Sequence, residues 1–148
     1  KLLLRYEIVQ HLKRKFNHKF IVIGNDWSKL SVQSMNSNYD IKQNNELYRG
    51  NICLDLGCIE GSSSLYSRAN QIIEAGGLII QSKQTDYKKK WKNLDEKILF
   101  KDFNHLDFII QKMLNDYEYS NKILNDIYKN FSNSKILIED SLDKINNN

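Results

Sequence analysis

Proline is absent from this sequence, while asparagine and lysine abound. The combination reads as coding bias and not as disorder, because apolar periodicity persists to about Leu142. Cysteine is nearly absent too. Cys53 and Cys58 are not spaced as CxxC and no second pair exists, which argues against a structural zinc site. Neither is needed as a disulfide in a chain of this size, so a reduced, cytoplasmic setting is expected. The three histidines, His11, His18 and His105, are scattered and form no HExxH or paired-ligand spacing. Surface or packing roles follow for them, and no metal is expected. No apolar run approaches the roughly 20 residues of a membrane span. The amino-terminal "KLLLRYEIVQHLKRKF" is not a signal peptide, since its apolar residues recur at helical spacing between charges. One-sided charge is lacking as well: the formal net charge is +4, with acids and bases mixed along the chain. The one basic run, Lys88-Lys89-Lys90 with Lys92, surrounds a single aromatic, Trp91. Binders of single strands line a charged groove with several stacking aromatics. The run therefore reads as a solvated lysine face, and no nucleic-acid partner is expected.

What is present is an alternation. With 148 residues the chain suits one domain, 1–148, large enough to bury most of its apolar surface. Leu3, Leu4, Ile8, Leu12 and Phe16 form a helical stripe, and "KFIVIG" then reads as a buried strand ending in Gly24. Ser28 to Asn45 is polar and loop-like, and "NNELYRG" reads as a short helix capped by Asn44 or Asn45. "NICLDLG" is a second strand, and "SSSLYSRANQIIEAG" a helix with serines at its start and Gly76 at its end. "GLIIQS" and "KILFKD" are further strands. "NHLDFIIQKMLND" is an amphipathic helix, followed by two more in "SNKILNDIYKNFSN" and "SKILIEDSLDKI". Strands alternating with helices imply an α/β fold of the Rossmann-like kind, with a mainly parallel sheet covered on both faces.

In such sheets ligands sit at the carboxyl ends of the strands. Three loops qualify: Gly24–Trp27, Gly57–Ser64 and Ser82–Asp86. The second carries the richest chemistry. Ser62, Ser63 and Ser64 offer hydroxyls and backbone N–H groups at a helix start, which suits an anion such as a diphosphate. The same serines also serve as an ordinary N-cap. "LDLGCIEG" has the look of an S-adenosylmethionine loop, with Asp55, Gly57 and Gly61 in place. However, β-branched Ile59 replaces the central glycine, and the next strand ends in Gln81-Ser82, with the first acid at Asp86.

A second likeness covers nearly the whole chain. "RYEIVQHLKRKF" followed by "KFIVIGNDW", the short helix in "ELYRGNICLDL", the arginine-led helix and small-residue turn of "YSRANQIIEAGGLIIQ", and "ILFKDFNHLDFIIQKMLND" stand in one order. That order resembles the carboxyl-terminal, donor-binding half of a GT-B glycosyltransferase, of the group-1, spore-maturation-like type. The resemblance implies a three-layer αβα domain that binds a nucleotide-diphosphate sugar as substrate, with no cofactor and no catalytic metal. It also implies a second, acceptor-binding domain outside this chain, whose first residue is Lys, so a fragment is expected. Carried over position by position, Arg68 becomes the diphosphate contact, with Ser62, Ser63 and Ser64 beside it. Gly24 and Trp27, at the end of the first strand, join the nucleotide-sugar-binding set, and Trp27 and Tyr66 would flank a base or sugar. The family's ribose-gripping glutamate falls on Gln71, five residues before Gly76, while Glu74 lies two before it. A neutral hydrogen bond from Gln71, or a substitute role for Glu74, is what this departure implies. The catalytic residues are not assigned. Two alternatives stand beside this reading: a non-catalytic α/β interaction module, and a methyltransferase-like domain.

Overall fold

The computed structural model describes residues 2–36, 40–56, 67–82, 91 and 93–146, and of 132–146 the backbone alone. The chain forms two compact units, 1–44 and 45–148.

In the first unit, helix α1 (Leu2–Phe16) buries Ile8, Val9 and Leu12, which lie one turn apart or adjacent on one face. Leu3 and Leu4 belong to the helix but face solvent. Lys13, Arg14 and Lys15 occupy the last turn, where cations complement the helix dipole. Asn17, with φ +46°, then turns the chain out of the helix. "KFIVIG" does not form the buried strand that its apolar run implies. Among the described residues its one β-bridge pairs Ile23 with Met35 in parallel, with Gly24 N–H donating to the Met35 carbonyl at 2.9 Å and Met35 N–H to the Val22 carbonyl at 2.8 Å. Val22 faces inward with half-buried Phe20, while Ile21 and Ile23 look outward. A segment with so little pairing keeps the two-residue alternation of an exposed ribbon. The small core here joins Val9, Val22 and Val32, with Tyr6, Phe20 and Trp27 packed against it.

Helix α2 (Ile41–Tyr48) links the units. Its cap is Asp40, whose Oδ1 accepts from Lys42 N–H at 2.9 Å, so the helix starts earlier than Asn44 or Asn45. The second unit is then built on a parallel sheet with strand order β1-β2-β3. The strands are β1 (Ile52–Asp55), β2 (Leu78–Ser82) and β3 (Leu99–Phe100). Helix α3 (Ser67–Glu74) connects the first two. It ends in a Schellman motif: Gly76, with φ +82°, donates to the Ile73 carbonyl, and Gly77 donates to the Ile72 carbonyl at 2.8 Å. A side chain on Gly77 would have no room, because its Cβ would lie 2.8 Å from the Tyr48 carbonyl oxygen. Ile79, Ile80 and Gln81 are consecutive and all wholly buried. Successive strand residues face opposite ways, so both faces of β2 are covered.

"KILFKD" yields only a two-residue strand, because Asp95–Ile98 forms a short helix, α4, immediately before it. Helix α5 (Phe103–Asn115) is capped by Asp102, whose side chain accepts from His105 N–H at 2.8 Å. Leu106, Ile109, Ile110 and Met113 form its buried face. The two terminal helices expected from sequence are one, α6 (Tyr117–Asn146). Nothing between them breaks a helix, since Ser132-Asn133-Ser134 contains neither glycine nor proline. Asp116 serves both helices. Its N–H donates to the Lys112 carbonyl, and its Oδ1 accepts from Tyr119 N–H at 2.8 Å. Among the described residues no helix is long and apolar enough to cross a membrane. The architecture is α/β with a small, open, parallel sheet.

Candidate functional site

The parallel register sets Asp55, the last residue of β1, directly beside Gln81 near the end of β2. Both side chains are buried, at 1% and 0% exposure. Polar groups in such a place require partners, and here they satisfy one another. Gln81 Nε2 donates to Asp55 Oδ2 at 3.1 Å, and Trp91 Nε1 donates to Gln81 Oε1 at 3.3 Å. Trp91, wholly buried, is therefore a core residue and not a stacking platform within a lysine face. On the other side, Arg68 in the first turn of α3 places a guanidinium nitrogen 3.7 Å from Asp55 Oδ1. The result is a chain of side chains running from the core to the surface: Trp91, Gln81, Asp55, Arg68. It ends at the carboxyl side of the strands, where the Arg68 side chain is 60% exposed.

Tyr48, at the end of α2, lies within electrostatic reach of this chain. Burial pushes its phenol pKa up, the Arg68 charge pulls it down, and Cys53 and Asp55 add to the rise. The Cys53 thiol, enclosed beside Tyr48 and Asn51, is pushed up to about 12 by burial. A thiol in that state is a packing group and not a nucleophile.

The residues singled out from sequence are divided by the fold. Arg68 stands at the strand ends. Gln71, one turn further along α3, is half-buried. Glu74 is exposed and closes the same helix. Six residues of α-helix rise about 9 Å, and α3 runs back against the strands. Glu74 therefore lies toward the amino ends of β1 and β2, near the Gly76 carbonyl that accepts from Gly50 N–H, and away from Arg68. Its backbone carbonyl accepts from the Tyr128 hydroxyl at 3.4 Å. Ser62, Ser63, Ser64 and Tyr66 lie outside the described residues. Gly24 and Trp27 belong to the first unit, where they pack on each other: a Cβ on Gly24, whose φ is +151°, would meet Trp27 Nε1 at 2.9 Å. The Trp27 ring also packs against the Val9, Val22 and Val32 core.

Sequence reasoning missed Gln81 and Trp91 as members of the site, and took Asp55 only as part of a look-alike motif. The available signal was one polar residue inside the apolar strand "LIIQS". Among the described residues no group of three or more His, Cys, Asp or Glu side chains could hold a metal ion. Chemically, among the described residues the arrangement offers one cation, Arg68, presented at the edge of a buried polar chain, which suits an anionic ligand. No family model, no curated protein and no solved structure matches the chain.

Proposed function

We propose that the chain is the nucleotide-sugar-binding half of a GT-B-type glycosyltransferase, a three-layer αβα domain. In this reading it works in the cytoplasm with an acceptor-binding domain to transfer a sugar to a glycan or glycolipid. The observation that carries the reading is the placement of Arg68. It leads a helix that follows a parallel strand, stands at the carboxyl end of that strand, and is mostly exposed. That is where α/β sheets hold phosphorylated ligands, and a guanidinium matches diphosphate oxygens in geometry and charge. The left-handed Gly76 turn into β2 further supports the resemblance of "SRANQIIEAGG" to the donor-binding helix and turn. In this reading Gln71 faces the ribose and Glu74 does not.

A second reading, a non-catalytic interaction module, draws support from the pairing of Arg68 with Asp55. Magnitude favours the first. At 3.7 Å the contact is an ion pair longer than a charge-assisted hydrogen bond of about 2.8 Å. An ion pair with one partner largely in water contributes about 1 kcal/mol at most. A diphosphate, with more charge than one carboxylate, competes successfully for such an arginine. The methyltransferase reading fares worse: Gln81 fills the place where the ribose-binding acid should stand, and it is buried and engaged with Asp55 and Trp91.

The test is a calorimetric titration with UDP, GDP and S-adenosylmethionine in parallel. Saturable binding of a nucleoside diphosphate, weakened about tenfold or more by Arg68→Ala, is the expected result. Equal affinity in the variant, or no binding of either diphosphate, refutes the reading and leaves the interaction module.

A further inference from the structure

We infer that Asp55 is a positioning residue, which sets the orientation in which Arg68 meets an anionic ligand and is itself oriented by Trp91 and Gln81. The inference rests on the reading of Arg68 as the diphosphate contact.

The direction of each hydrogen bond fixes the orientation of the next group. An indole N–H can only donate, so the Gln81 amide must present Oε1 to Trp91, at 3.3 Å. Its Nε2 is then committed to the other side and donates to Asp55 Oδ2, at 3.1 Å. With Oδ2 engaged as an acceptor, Oδ1 is turned toward the guanidinium, 3.7 Å away. Trp91, Gln81 and Asp55 are all buried to 1% exposure or less, so their geometry is imposed by packing and by the register of β1 and β2. Arg68 is not imposed in this way. A long side chain that is 60% exposed samples many rotamers unless something holds its head. A buried carboxylate of fixed orientation does so, and a ligand then meets a guanidinium that loses less freedom on binding.

Asp55 has a competing role, that of a simple counter-ion, and the two predict opposite signs. As a counter-ion only, Asp55 opposes an incoming anion, and removing its charge tightens binding. As a positioning residue it aids binding, and its loss weakens it. Asp55→Asn separates them because Gln81 still donates. The amide oxygen must take the place of Oδ2, which leaves the NH2 group facing the guanidinium, donor against donor. Arg68 is released.

The experiment titrates the full chain with UDP and GDP at fixed ionic strength, beside Arg68→Ala, Asp55→Asn and the double variant. Asp55→Asn weakens binding by up to about fivefold, and the double variant binds no more weakly than Arg68→Ala alone. Binding through Arg68 that is unchanged or tighter in Asp55→Asn overturns the positioning role and leaves the donor-site reading intact. If the unmodified chain binds neither diphosphate, the donor-site reading fails and the inference fails with it. Should Asp55→Asn not fold, 15N NMR of the unmodified chain decides. Separate Nη signals from hindered rotation of the Arg68 guanidinium support the inference, and a single averaged signal overturns it.

Discussion

Gln81→Glu is nearly isosteric, yet it would place a second carboxylate where an amide N–H now donates to Asp55 Oδ2 at 3.1 Å. Two negative charges at that separation repel by about 5 kcal/mol at an effective dielectric of about 20. Arg68, mostly in water, offsets little of this. The folded variant has a less costly alternative, which is to retain one proton between the two groups. Protonating a carboxyl of ordinary pKa about 4.3 at pH 7 costs about 3.7 kcal/mol. A shared proton also restores a donor in place of the lost N–H. The variant is thus expected to be less stable than the wild type by about 3–4 kcal/mol at pH 7. The pair's pKa is raised in the folded state, so the penalty is smallest below about pH 4.3 and grows as pH rises toward the folded value. Each pH unit between these limits adds about 1.4 kcal/mol, or about 2.7 kcal/mol from pH 5 to pH 7. Urea unfolding of both proteins at pH 5, 6 and 7, followed by Trp91 fluorescence in a Trp27→Phe background, measures the difference. A stability gap that does not change with pH would refute the buried Asp55–Gln81 contact.

Three further outcomes are expected. Gly77→Ala brings a methyl group to 2.8 Å from the Tyr48 carbonyl oxygen and 2.9 Å from Ile72 Cγ2. It should destabilise by about 1–3 kcal/mol, and an unchanged melting temperature would contradict the tight turn between α3 and β2. Cys53, its thiol raised from an ordinary 9.0 to about 12 by burial, should alkylate about a thousandfold more slowly than a free cysteine at pH 8. Peptide mass spectrometry after iodoacetamide reads this site separately from Cys58, and comparable rates would refute the burial. Asp102→Ala removes the acceptor for His105 N–H and should cost about 0.5–2 kcal/mol. Loss of amide protection in the first turn of α5, by hydrogen exchange, is the local readout.

The parts of this fold that were legible in the sequence share one property: a period long enough to be counted. α5 shows Leu106, Ile109, Ile110 and Met113 at helical spacing, and those residues form its buried face. The apolar runs of β1 and β2, separated by a helix with a terminal glycine, imply the parallel pairing that is found. Where the reading failed, local pattern met a competing effect. "KFIVIG" is apolar enough for a central strand, but a strand needs neighbours, and its one bridge among the described residues leaves Ile21 and Ile23 toward solvent. The polar stretch inside α6 reads as a boundary in sequence, yet serine and asparagine weaken a helix by less than 1 kcal/mol each and do not end it. The lysine run around Trp91 gives no sign that the tryptophan is buried, whereas its own large apolar area and one satisfiable N–H carry it inside.

The candidate site was less legible still, and the reason is register. Asp55 and Gln81 are 26 residues apart, and nothing in either segment points to the other. They meet because Ile52 pairs with Leu78, which three residues later sets Asp55 against Gln81. A shift of one residue would turn Gln81 to the opposite face of the sheet and break the link to Asp55. Once that pairing exists, the rest follows from what each group can do: the indole only donates, the amide is thereby oriented, and the carboxylate is left with an oxygen toward Arg68. The placement of the exposed cation is therefore a consequence of buried pairing, and mutations at wholly buried Gln81 or Trp91 should alter the behaviour of Arg68 without touching it.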